Sequence, residues 1–481
     1  MQYDIIIIGA GIMGAAMAQV LMAFDTKIAV LEKAGDICMG ASKANSGIIH
    51  AGFDATPGTK KARFNVEGAR MYPGLCETLG VAFNRCGALV VGFSDEDKKT
   101  LEKLYDQGQQ NGVLGMSLLT GEEARKLEPN LSSEITCALR VPESGVVSPY
   151  EMTFGLMEHA AVNGVKVHTN QKVVEIKPEK DGYRVICEDE SFTAKAVINC
   201  AGTGALEIHQ TVVKDDVKII PRKGDYYLLD RMTQMPFYST IFQCPTKMGK
   251  GVLISPTAHG NTIIGPSATD TVDPDDTATD AFSLADTLKK ARLTWPGLSL
   301  RQNLTTFAGV RAHEINGDFI LKETAPSFFE ALGIESPGLT SAPAMAKEWG
   351  NEIAAQLKLT KKEAILPPYK PQTPFFEMSL AEKKAAYETD NLYGALVCRC
   401  ECVTEKEIVE AIRRPLGAKN VDGVKRRTRA GMGRCQGGFC SPRVMEILAR
   451  ETGVDILNIT KQGGNSRILT GSIEGGLGNE G

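Results

Sequence analysis

The stretch "YDIIIIGAGIMGAAMAQVLMAF", residues 3–24, decides how the chain begins to fold. A run of isoleucines leads into Gly9, Gly11 and Gly14, and a helical pattern of small and apolar residues follows. The segment is long and apolar enough to imitate a membrane helix. Its three glycines and β-branched opening favour a buried strand, a tight turn and a helix instead.

The residues that follow this stretch complete a βαβ pattern. A second strand, "KIAVLEK", ends near Glu32, eighteen residues after Gly14. Gly9 permits the tight turn, Gly11 lets the backbone approach a pyrophosphate, and Gly14 lets helix and strand pack closely. Phosphates would bind the N–H groups at the helix start, and the Glu32 carboxylate would accept the ribose hydroxyls. The pattern predicts a dinucleotide site but does not by itself separate FAD from NAD.

A later strand favours FAD. "AKAVINCAGTGA", residues 194–205, is an apolar strand that runs into Ala201 and Gly202. In flavoproteins with two dinucleotide-binding domains, a strand of this kind returns to the FAD site. Ala201 and Gly202 would let the backbone pass close to the phosphates. The alternative is an ordinary strand end before a glycine turn.

Composition is that of a soluble globular chain. The 481 residues are 43% apolar and 23% charged, enough for two or three domains. The N-terminus "MQYD" has no basic segment of the kind that opens a signal peptide, so we expect a cytoplasmic protein, possibly peripheral to the membrane through a partner. Alternating strands over residues 165–202, interleaved with helical patterns, predict a mixed α/β and α+β fold.

Several motifs resemble the D-amino-acid-oxidase-like FAD oxidoreductases over about residues 1–360. They are "GASKANSGIIHAGF", "PRKGDYYLL", "GVLISPTAHGNTIIGPSA", "FAGVRA" and "SPGLTSAPAMAKEWG". Within that group the sequence is most similar to FAD-dependent glycerol-3-phosphate dehydrogenases and L-2-hydroxyglutarate dehydrogenases. The tail motifs "CRCECVTEKEIVEAI" and "TRAGMGRCQGGFCSPR" resemble the [2Fe–2S] module related to bacterioferritin-associated ferredoxin, which also occurs in some opine dehydrogenase subunits.

The resemblance implies an organisation into domains. We expect FAD-binding segments at about 1–75, 146–205 and 305–360, interleaved with antiparallel substrate-domain segments at about 76–145 and 206–304. Residues 1–365, here called the body, are followed by a proline-rich linker at 366–392. The cluster module covers about 393–460, and a glycine-rich tail covers 461–481.

The resemblance also implies the cofactor contacts and the substrate groups. Within residues 40–53, here called the flavin-lining segment, "SGIIHAGF" at 46–53 would run along the flavin. Ser42, Ser46, Gly338, Leu339 and Thr340 become contacts, with the backbone of Val173 at the adenine end. His50 would take the hydroxyl proton of a substrate, and Arg311 would hold its phosphate or carboxylate. His259 and His313 are secondary candidates.

The cysteine distribution points to a metal centre in the cluster module. Seven of the twelve cysteines are scattered between Cys38 and Cys244, whereas five lie between Cys398 and Cys440. In a reducing compartment such a cluster binds metal or does redox work. Two pairs supply the four thiolates that either an iron–sulfur cluster or a structural zinc requires; they are Cys398, Cys400, Cys435 and Cys440. The family resemblance favours [2Fe–2S], with Cys402 as a buried bystander.

Charge separates the module from the rest of the chain. Residues 398–450 carry twelve Lys or Arg against six Asp or Glu, a net charge of +6 in a chain whose total is −4. The basic stretch "KRRTRAGMGR", residues 425–434, would offset the negative charge of a cluster and steer an acidic redox partner.

These features predict an FAD-dependent dehydrogenase acting on a small anionic secondary alcohol. The first choice of reaction is sn-glycerol 3-phosphate to dihydroxyacetone phosphate, by hydride transfer to flavin N5 with onward electron transfer through the cluster. The alternatives are a 2-hydroxy acid such as L-2-hydroxyglutarate, opine or amine oxidation, and a relay subunit without its own substrate. We expect a redox partner protein or further subunits, no nucleic acid and no direct membrane span.

Overall fold

The structure is a computed structural model that describes residues 1–232, 234–245 and 251–471. The end of the predicted tail, residues 472–481, lies outside the described residues.

Helices occur in the body, in the linker and in the module. In the described ranges they are α1 (Ile12–Leu21), α2 (Lys60–Leu79), α3 (Asp95–Gln110), α4 (Gly121–Leu127), α5 (Pro149–Val162), α6 (Ala205–Val212), α7 (Ala281–Thr294), α8 (Gly338–Gln356), α9 (Leu380–Thr389), α10 (Glu405–Arg413), α11 (Val421–Thr428) and α12 (Ser441–Thr452).

Strands are concentrated in the body. In the described ranges they are β1 (Gln2–Ile8), β2 (Ile28–Leu31), β3 (Ile48–Ile49), β4 (Phe83–Asn84), β5 (Ala88–Gly92), β6 (Ser117–Thr120), β7 (Cys137–Val141), β8 (Gly145–Val147), β9 (Lys166–His168), β10 (Val173–Glu179), β11 (Gly182–Cys187), β12 (Ser191–Asn199), β13 (Ile219–Leu229), β14 (Thr240–Gln243), β15 (Leu253–Pro256), β16 (Thr262–Gly265), β17 (Thr269–Asp270), β18 (Asn303–Glu314), β19 (Ile320–Ala325), β20 (Phe328–Leu332), β21 (Leu396–Cys398) and β22 (Val403–Thr404).

The first sheet is built around the isoleucine run. Its path is β10-β11-β12-β1-β2-β9, with β20 paired to β12 and β19 paired to β20. Strand β1 is parallel to both β12 and β2, and Ile5–Ile8 are buried. A central strand buried on both faces reads as a continuous apolar run, which explains the lack of alternation in "IIII". Helices α1, α5 and α8 pack together on this sheet around one apolar core.

The second sheet is larger and mostly antiparallel. Its path is β17-β13-β16-β15-β14-β5-β7-β6, with β18 paired to β13 along almost the whole length of both strands. The predicted boundary at residue 305 therefore falls inside β18, and strand pairing carries this sheet on to Glu314. The pair β14–β5 is parallel, and every other pairing in this sheet is antiparallel.

The cluster module is a small helical unit with its own core. Helices α10, α11 and α12 bury Ile408, Val424 and Leu448, and β21 pairs with β22 beside them. Helix α10 begins after Thr404 with a capping box to Glu407, as the sequence predicts. Residues 366–379 connect body and module without regular structure, and α9 follows them.

Candidate active site and metal centre

The turn between β1 and α1 leaves no room for side chains. Gly9 has a φ of +97°, and a Cβ placed there would lie 2.6 Å from the carbonyl oxygen of Cys200. A Cβ on Gly14 would lie 1.9 Å from the oxygen of Gly9, so helix and strand cross at backbone contact. Ala201 follows Cys200 at the end of β12, which brings the second predicted strand to the same turn. The backbone is shaped for a ligand that approaches the start of α1.

Glu32 ends the second strand in a buried position. Its carboxylate oxygens accept hydrogen bonds from the N–H groups of Ala10 at 2.8 Å and Ala34 at 2.9 Å. Burial raises the pKa of Glu32 despite these bonds. The carbonyl of Glu32 accepts a hydrogen bond from the N–H of Gln171. Gln171 is two residues before Val173, so Glu32 and Val173, which are predicted to contact the adenosine part of the cofactor, lie near each other.

Two further segments meet close to this turn. Ser42 Oγ accepts a hydrogen bond from Ile12 N at 2.8 Å, which ties the flavin-lining segment to the start of α1. Helix α8 begins at Gly338, and Gly338 and Leu339 line a cavity together with Ser42 and Ser46. The unpaired N–H groups of a helix start suit an electron-rich ligand edge. Gly202, with a φ of +60°, continues the chain beyond Ala201.

That cavity, the candidate active site, has a volume of about 410 Å³. It brings together His50 from the flavin-lining segment, Arg311 from β18, and the first residues of α8. The aromatic rings of Tyr226 and Phe242 form part of the cavity wall. An apolar cleft with a few convergent polar groups is the usual form of a small-molecule site.

His50 is held from several sides. Its ring lies 5.7 Å from that of Phe242, and its backbone N–H donates to Thr340 Oγ1 at 3.0 Å. The side-chain amide of Asn65 is oriented so that its nitrogen donates to the His50 carbonyl at 2.7 Å and its oxygen accepts from the Gly52 N–H at 3.2 Å. The residue is only 7% exposed. The histidine is thus fixed beside the cavity, and Thr340 links it to α8.

Within the described ranges Arg311 makes no direct ion pair, and Asp270 acts on it only at longer range. Its guanidinium donates to backbone carbonyls, among them Ser267 O at 3.2 Å and Arg222 O at 3.4 Å. Within the described ranges no carboxylate oxygen lies within 4.0 Å of it, so it does not form a surface ion pair there. A guanidinium in a cleft without a direct carboxylate partner suits capture of a phosphate or carboxylate.

The secondary histidines lie in different places. His313 lines the same cavity and contacts Glu335 at 3.0 Å. Burial opposes ionisation of Glu335, but Lys61 and His313 outweigh it and lower the pKa of that carboxyl. His259 does not line this cavity; it pairs with Glu151 at 2.6 Å beside a second one. Sequence reasoning missed the Lys61–Glu335 pair, which has no local motif.

The four predicted metal-binding cysteines form two pairs in the module. Sγ atoms of Cys400 and Cys435 lie 3.7 Å apart, and the thiols of Cys398 and Cys440 are in hydrogen-bond contact. The Cys440 thiol lowers the pKa of Cys398 to about 6; burial opposes this, and backbone N–H groups of Gly431, Glu401 and Cys400 assist it. Thiolates are the ligating form. Two thiol pairs supply the four ligands that an iron–sulfur cluster or a zinc ion takes.

Cys402 lies apart from these pairs. It is partly exposed, and its sulfur faces the carbonyl oxygen of Arg399 at 3.8 Å. It is therefore not the buried residue that we expected, although its sulfur contacts none of the other four in the described structure.

The basic stretch 425–434 corrects one prediction. Arg426 and Arg427 both turn inward onto Asp36 of the body, with Nη–Oδ distances of 2.6 and 2.8 Å. Arg429 pairs with Glu401, which also pairs with Arg231 in the loop after β13. Most of this positive charge is thus used to fix the module on the body and is not displayed to a redox partner.

The junction has a further buried ion pair that sequence reasoning missed. Glu158 of α5 is fully buried, and Arg414 of the module meets it with two hydrogen bonds of 2.6 and 2.5 Å. The two residues are 256 positions apart, so no local signal announces the contact.

Fold and site together define a class: a flavoprotein with a dinucleotide-binding sheet, an antiparallel substrate sheet and a four-cysteine module. Comparison with known proteins agrees. Residues 4–350 match the family described as FAD dependent oxidoreductase, and residues 396–450 match the BFD-like [2Fe-2S] binding domain. The chain belongs to the FAD dependent oxidoreductase family. It is an FAD-dependent enzyme whose module is a [2Fe–2S] domain, which favours the cluster over zinc.

Relatives resemble the chain over different lengths. A glycerol 3-phosphate dehydrogenase of Caloramator mitchellensis is 45% identical over 98% of both chains. The FAD-bound L-alpha-glycerophosphate oxidase of Mycoplasma pneumoniae has a TM-score of 0.74 at 31% identity, covering 78% of this chain and 100% of that one. The human mitochondrial L-2-hydroxyglutarate dehydrogenase is 30% identical over 55% of this chain and 61% of its own.

In the part of the chain that the structure describes, no helix combines the length and the apolar character needed to cross a bilayer.

Proposed function

We propose that the protein is a dehydrogenase that oxidises sn-glycerol 3-phosphate to dihydroxyacetone phosphate. The observation that carries the proposal is the guanidinium of Arg311, unpaired with any described carboxylate, in the same cavity as His50. A relative that matches 98% of this chain and bears the name glycerol 3-phosphate dehydrogenase supports the choice of substrate. The cluster module, which lies beyond the 78% matched by the oxidase structure, supports a dehydrogenase in preference to an oxidase.

Each group has a defined role in this proposal. Arg311 binds the phosphate and so fixes the distance of the secondary alcohol from His50. His50 accepts the hydroxyl proton as the carbon–hydrogen bond breaks, which leaves the ketone. When bound, FAD supplies the two-electron acceptor and the [2Fe–2S] cluster supplies a one-electron carrier. The wall formed by Phe242 and Tyr226 limits water at the reacting carbon.

The cofactor contacts are part of the proposal. We assign the FAD phosphates to the turn at Gly9, Gly11 and Gly14, with Glu32 at the ribose. The other proposed contacts are Ser42, Ser46, Val173, Ala201, Gly202, Gly338, Leu339 and Thr340. Cys398, Cys400, Cys435 and Cys440 are the proposed cluster ligands. Electrons leave to a redox partner protein or a further subunit.

A 2-hydroxy acid is the second candidate substrate. A carboxylate can occupy the same guanidinium, and L-2-hydroxyglutarate dehydrogenases are among the relatives, although they match a shorter part of the chain. The two substrates differ in the anion that Arg311 would hold and in the length that the cavity must accept.

Anaerobic flavin reduction distinguishes these candidates. Purified holoenzyme is mixed with sn-glycerol 3-phosphate, its enantiomer, L-2-hydroxyglutarate or an opine, and the flavin absorption is followed. We expect fast bleaching by sn-glycerol 3-phosphate alone. Bleaching by L-2-hydroxyglutarate instead would transfer the assignment to the second candidate, and no bleaching by any of the four would leave only the relay interpretation.

Two variants test the assigned roles. Arg311→Lys loses the forked donor geometry, and we expect kcat/KM to fall about 100-fold, mainly through KM. His50→Gln should lower the rate of flavin reduction with little change in KM, whereas His168→Gln, at a partly buried histidine that contacts Tyr3, should leave both constants unchanged. Unchanged reduction in His50→Gln would remove that residue from the chemistry.

A further inference from the structure

A second cavity of about 500 Å³ lies between the flavin-lining segment and the cluster module. Its walls come from residues 43–47, from residues 147–150 at the start of α5, from the second sheet, and from α11 and the loop after it. Ala44, Asn45 and Ser46 line both this cavity and the candidate active site, so this short segment separates the two. Neither His50 nor Arg311 lines the second cavity.

The lining of the second cavity is strongly positive. Four cations line it, Lys43, Lys425, Arg426 and Arg429, against one carboxylate, Asp422. The two arginines already have partners in the junction, and Asp422 pairs with Lys461. Within the described ranges, the two lysines have no carboxylate oxygen within 4.0 Å. Asp422 acts on both ammonium groups through space, but its direct partner is Lys461, so the charge of the two lysines is only partly balanced.

Two buried polar atoms at the same cavity lack hydrogen-bond partners. Arg426 is 7% exposed and Ser148 is 3% exposed, and both line the cavity. Within the described structure, Nε of Arg426 and Oγ of Ser148 have no hydrogen-bond partner. Buried polar groups in native proteins are almost always satisfied, so a pair of exceptions beside one cavity indicates a missing acceptor.

Helix α5 adds a favourable field. Its fourteen residues begin at Pro149, and Pro149 and Tyr150 line the cavity. Ser148 stands at the N-cap position but makes no capping hydrogen bond. Ser148 thus leaves the N–H groups of the first turn uncapped, and the positive end of the helix dipole, which Glu151 of the same turn partly offsets, suits an anion.

We propose that this cavity binds a phosphate-bearing small molecule between Lys43 of the flavin-lining segment and Lys425 of the cluster module. Two ammonium groups, one guanidinium Nε, one hydroxyl and a helix start offer more donors than the two oxygens of one carboxylate accept. A phosphate or diphosphate accepts them all. Burial lowers the pKa of both lysines, and a bound dianion would supply the missing charge partner. A ligand held by both elements would stabilise the module on the body.

The test is calorimetric titration of the oxidised holoenzyme, which involves no turnover and so does not depend on the proposed substrate. The probes are inorganic phosphate, pyrophosphate and AMP. We expect a saturable site that persists in Arg311→Lys, apart from any binding at Arg311 itself, with tighter binding of AMP than of phosphate if the ligand is an organic phosphate. Lys43→Met combined with Lys425→Met should weaken binding at least about tenfold, equivalent to 1.4 kcal/mol. Lys384→Met, at an exposed lysine of α9, is the matched control.

Three results would overturn the proposal. They are the absence of saturable binding for all three probes, an unchanged Kd in the double lysine variant, and loss of the site in Arg311→Lys, which would assign the anion to the active-site cavity. Ser148→Ala provides a second measurement that does not depend on the double variant folding. It removes one donor without altering charge, and we expect binding to weaken about threefold to tenfold.

Discussion

The flavin end of the first sheet and the junction between body and module are both tightly packed, but by opposite means. At the flavin end the contacts are between backbones, and Gly9 and Gly14 matter because they have no side chain. At the junction the contacts are between long side chains, and Asp36 matters because two arginines converge on it. The flavin end depends on the absence of side chains, and the junction depends on paired charges. Added side-chain volume should therefore disturb the first region, and loss of a charge should disturb the second.

Substitution at Gly14 should have the largest effect. In Gly14→Ala the new Cβ would lie 1.9 Å from the carbonyl oxygen of Gly9, and neither backbone can move without separating β1 from α1. We expect the purified protein to lose its flavin and to melt at a lower temperature. The measurement is flavin per chain by absorbance, with circular dichroism for the fold.

The matched control for this variant is Gly74→Ala. Gly74 lies inside α2, and a Cβ there meets nothing within 4 Å. Alanine is the better helix former, so full flavin content and equal or greater stability are expected. Full flavin content in Gly14→Ala would show that the turn tolerates side chains, and the first half of the comparison would then be wrong.

Removing the charge at Asp36 should have the next largest effect. Asp36→Asn leaves Arg426 and Arg427 buried with no carboxylate between them, and removal of one partner from a buried pair costs about 3–5 kcal/mol. The module should detach more readily, which would be seen as faster cleavage of the linker by protease and a lower urea midpoint. Flavin content should stay close to one per chain, since the turn at Gly9 is untouched.

Asp275→Asn is the matched control, because it removes an ion pair that is exposed and not buried. Its partner is Lys33, and the side chains are 67% and 50% exposed. Pairs of this kind contribute about 0–1 kcal/mol. If the two variants weakened the protein equally, burial would not be what distinguishes the junction.

Acid should weaken the junction as the Asp36 carboxylate becomes protonated. Burial alone would raise the pKa of Asp36, but Arg427 and Arg426 outweigh it and hold that pKa below its usual value. A carboxyl with a depressed pKa stabilises the folded state above the ordinary pKa of about 3.9, and this contribution is lost as the pH falls through the folded value. The difference in melting temperature between the native protein and Asp36→Asn should be constant near neutrality and shrink below about pH 4. A difference independent of pH down to 3 would contradict this assignment.

The same contrast explains what the sequence could and could not predict. The turn at Gly9, the strand at Glu32 and the cap at Thr404 depend on neighbours a few residues away, so their patterns are visible in the sequence. Asp36 and Arg427 are 391 positions apart, and nothing near either residue predicts the other. Composition alone therefore predicts an exposed basic stretch, whereas tertiary contacts turn Arg426 and Arg427 inward.

The candidate site divides in the same way. The glycine turn follows from backbone sterics, while His50 and Arg311 were selected by family resemblance, since an isolated histidine or arginine has no spacing to mark it. Lys43 was not singled out at all. Its partners in the second cavity come from α11 and the start of α5, and only the folded chain brings them together.

The smallest effect is expected at the edge of the junction. Arg434 belongs to the same basic stretch, yet its side chain is 62% exposed and it meets Asp230 at 3.1 Å. Arg434→Gln removes an ion pair that water already screens, so the urea midpoint should fall by the equivalent of less than about 1 kcal/mol. The small loss should also disappear in 1 M salt, which screens exposed charges, whereas the loss in Asp36→Asn should persist. A decrease as large as that of Asp36→Asn would mean that the number of charges, and not their burial, holds the module in place.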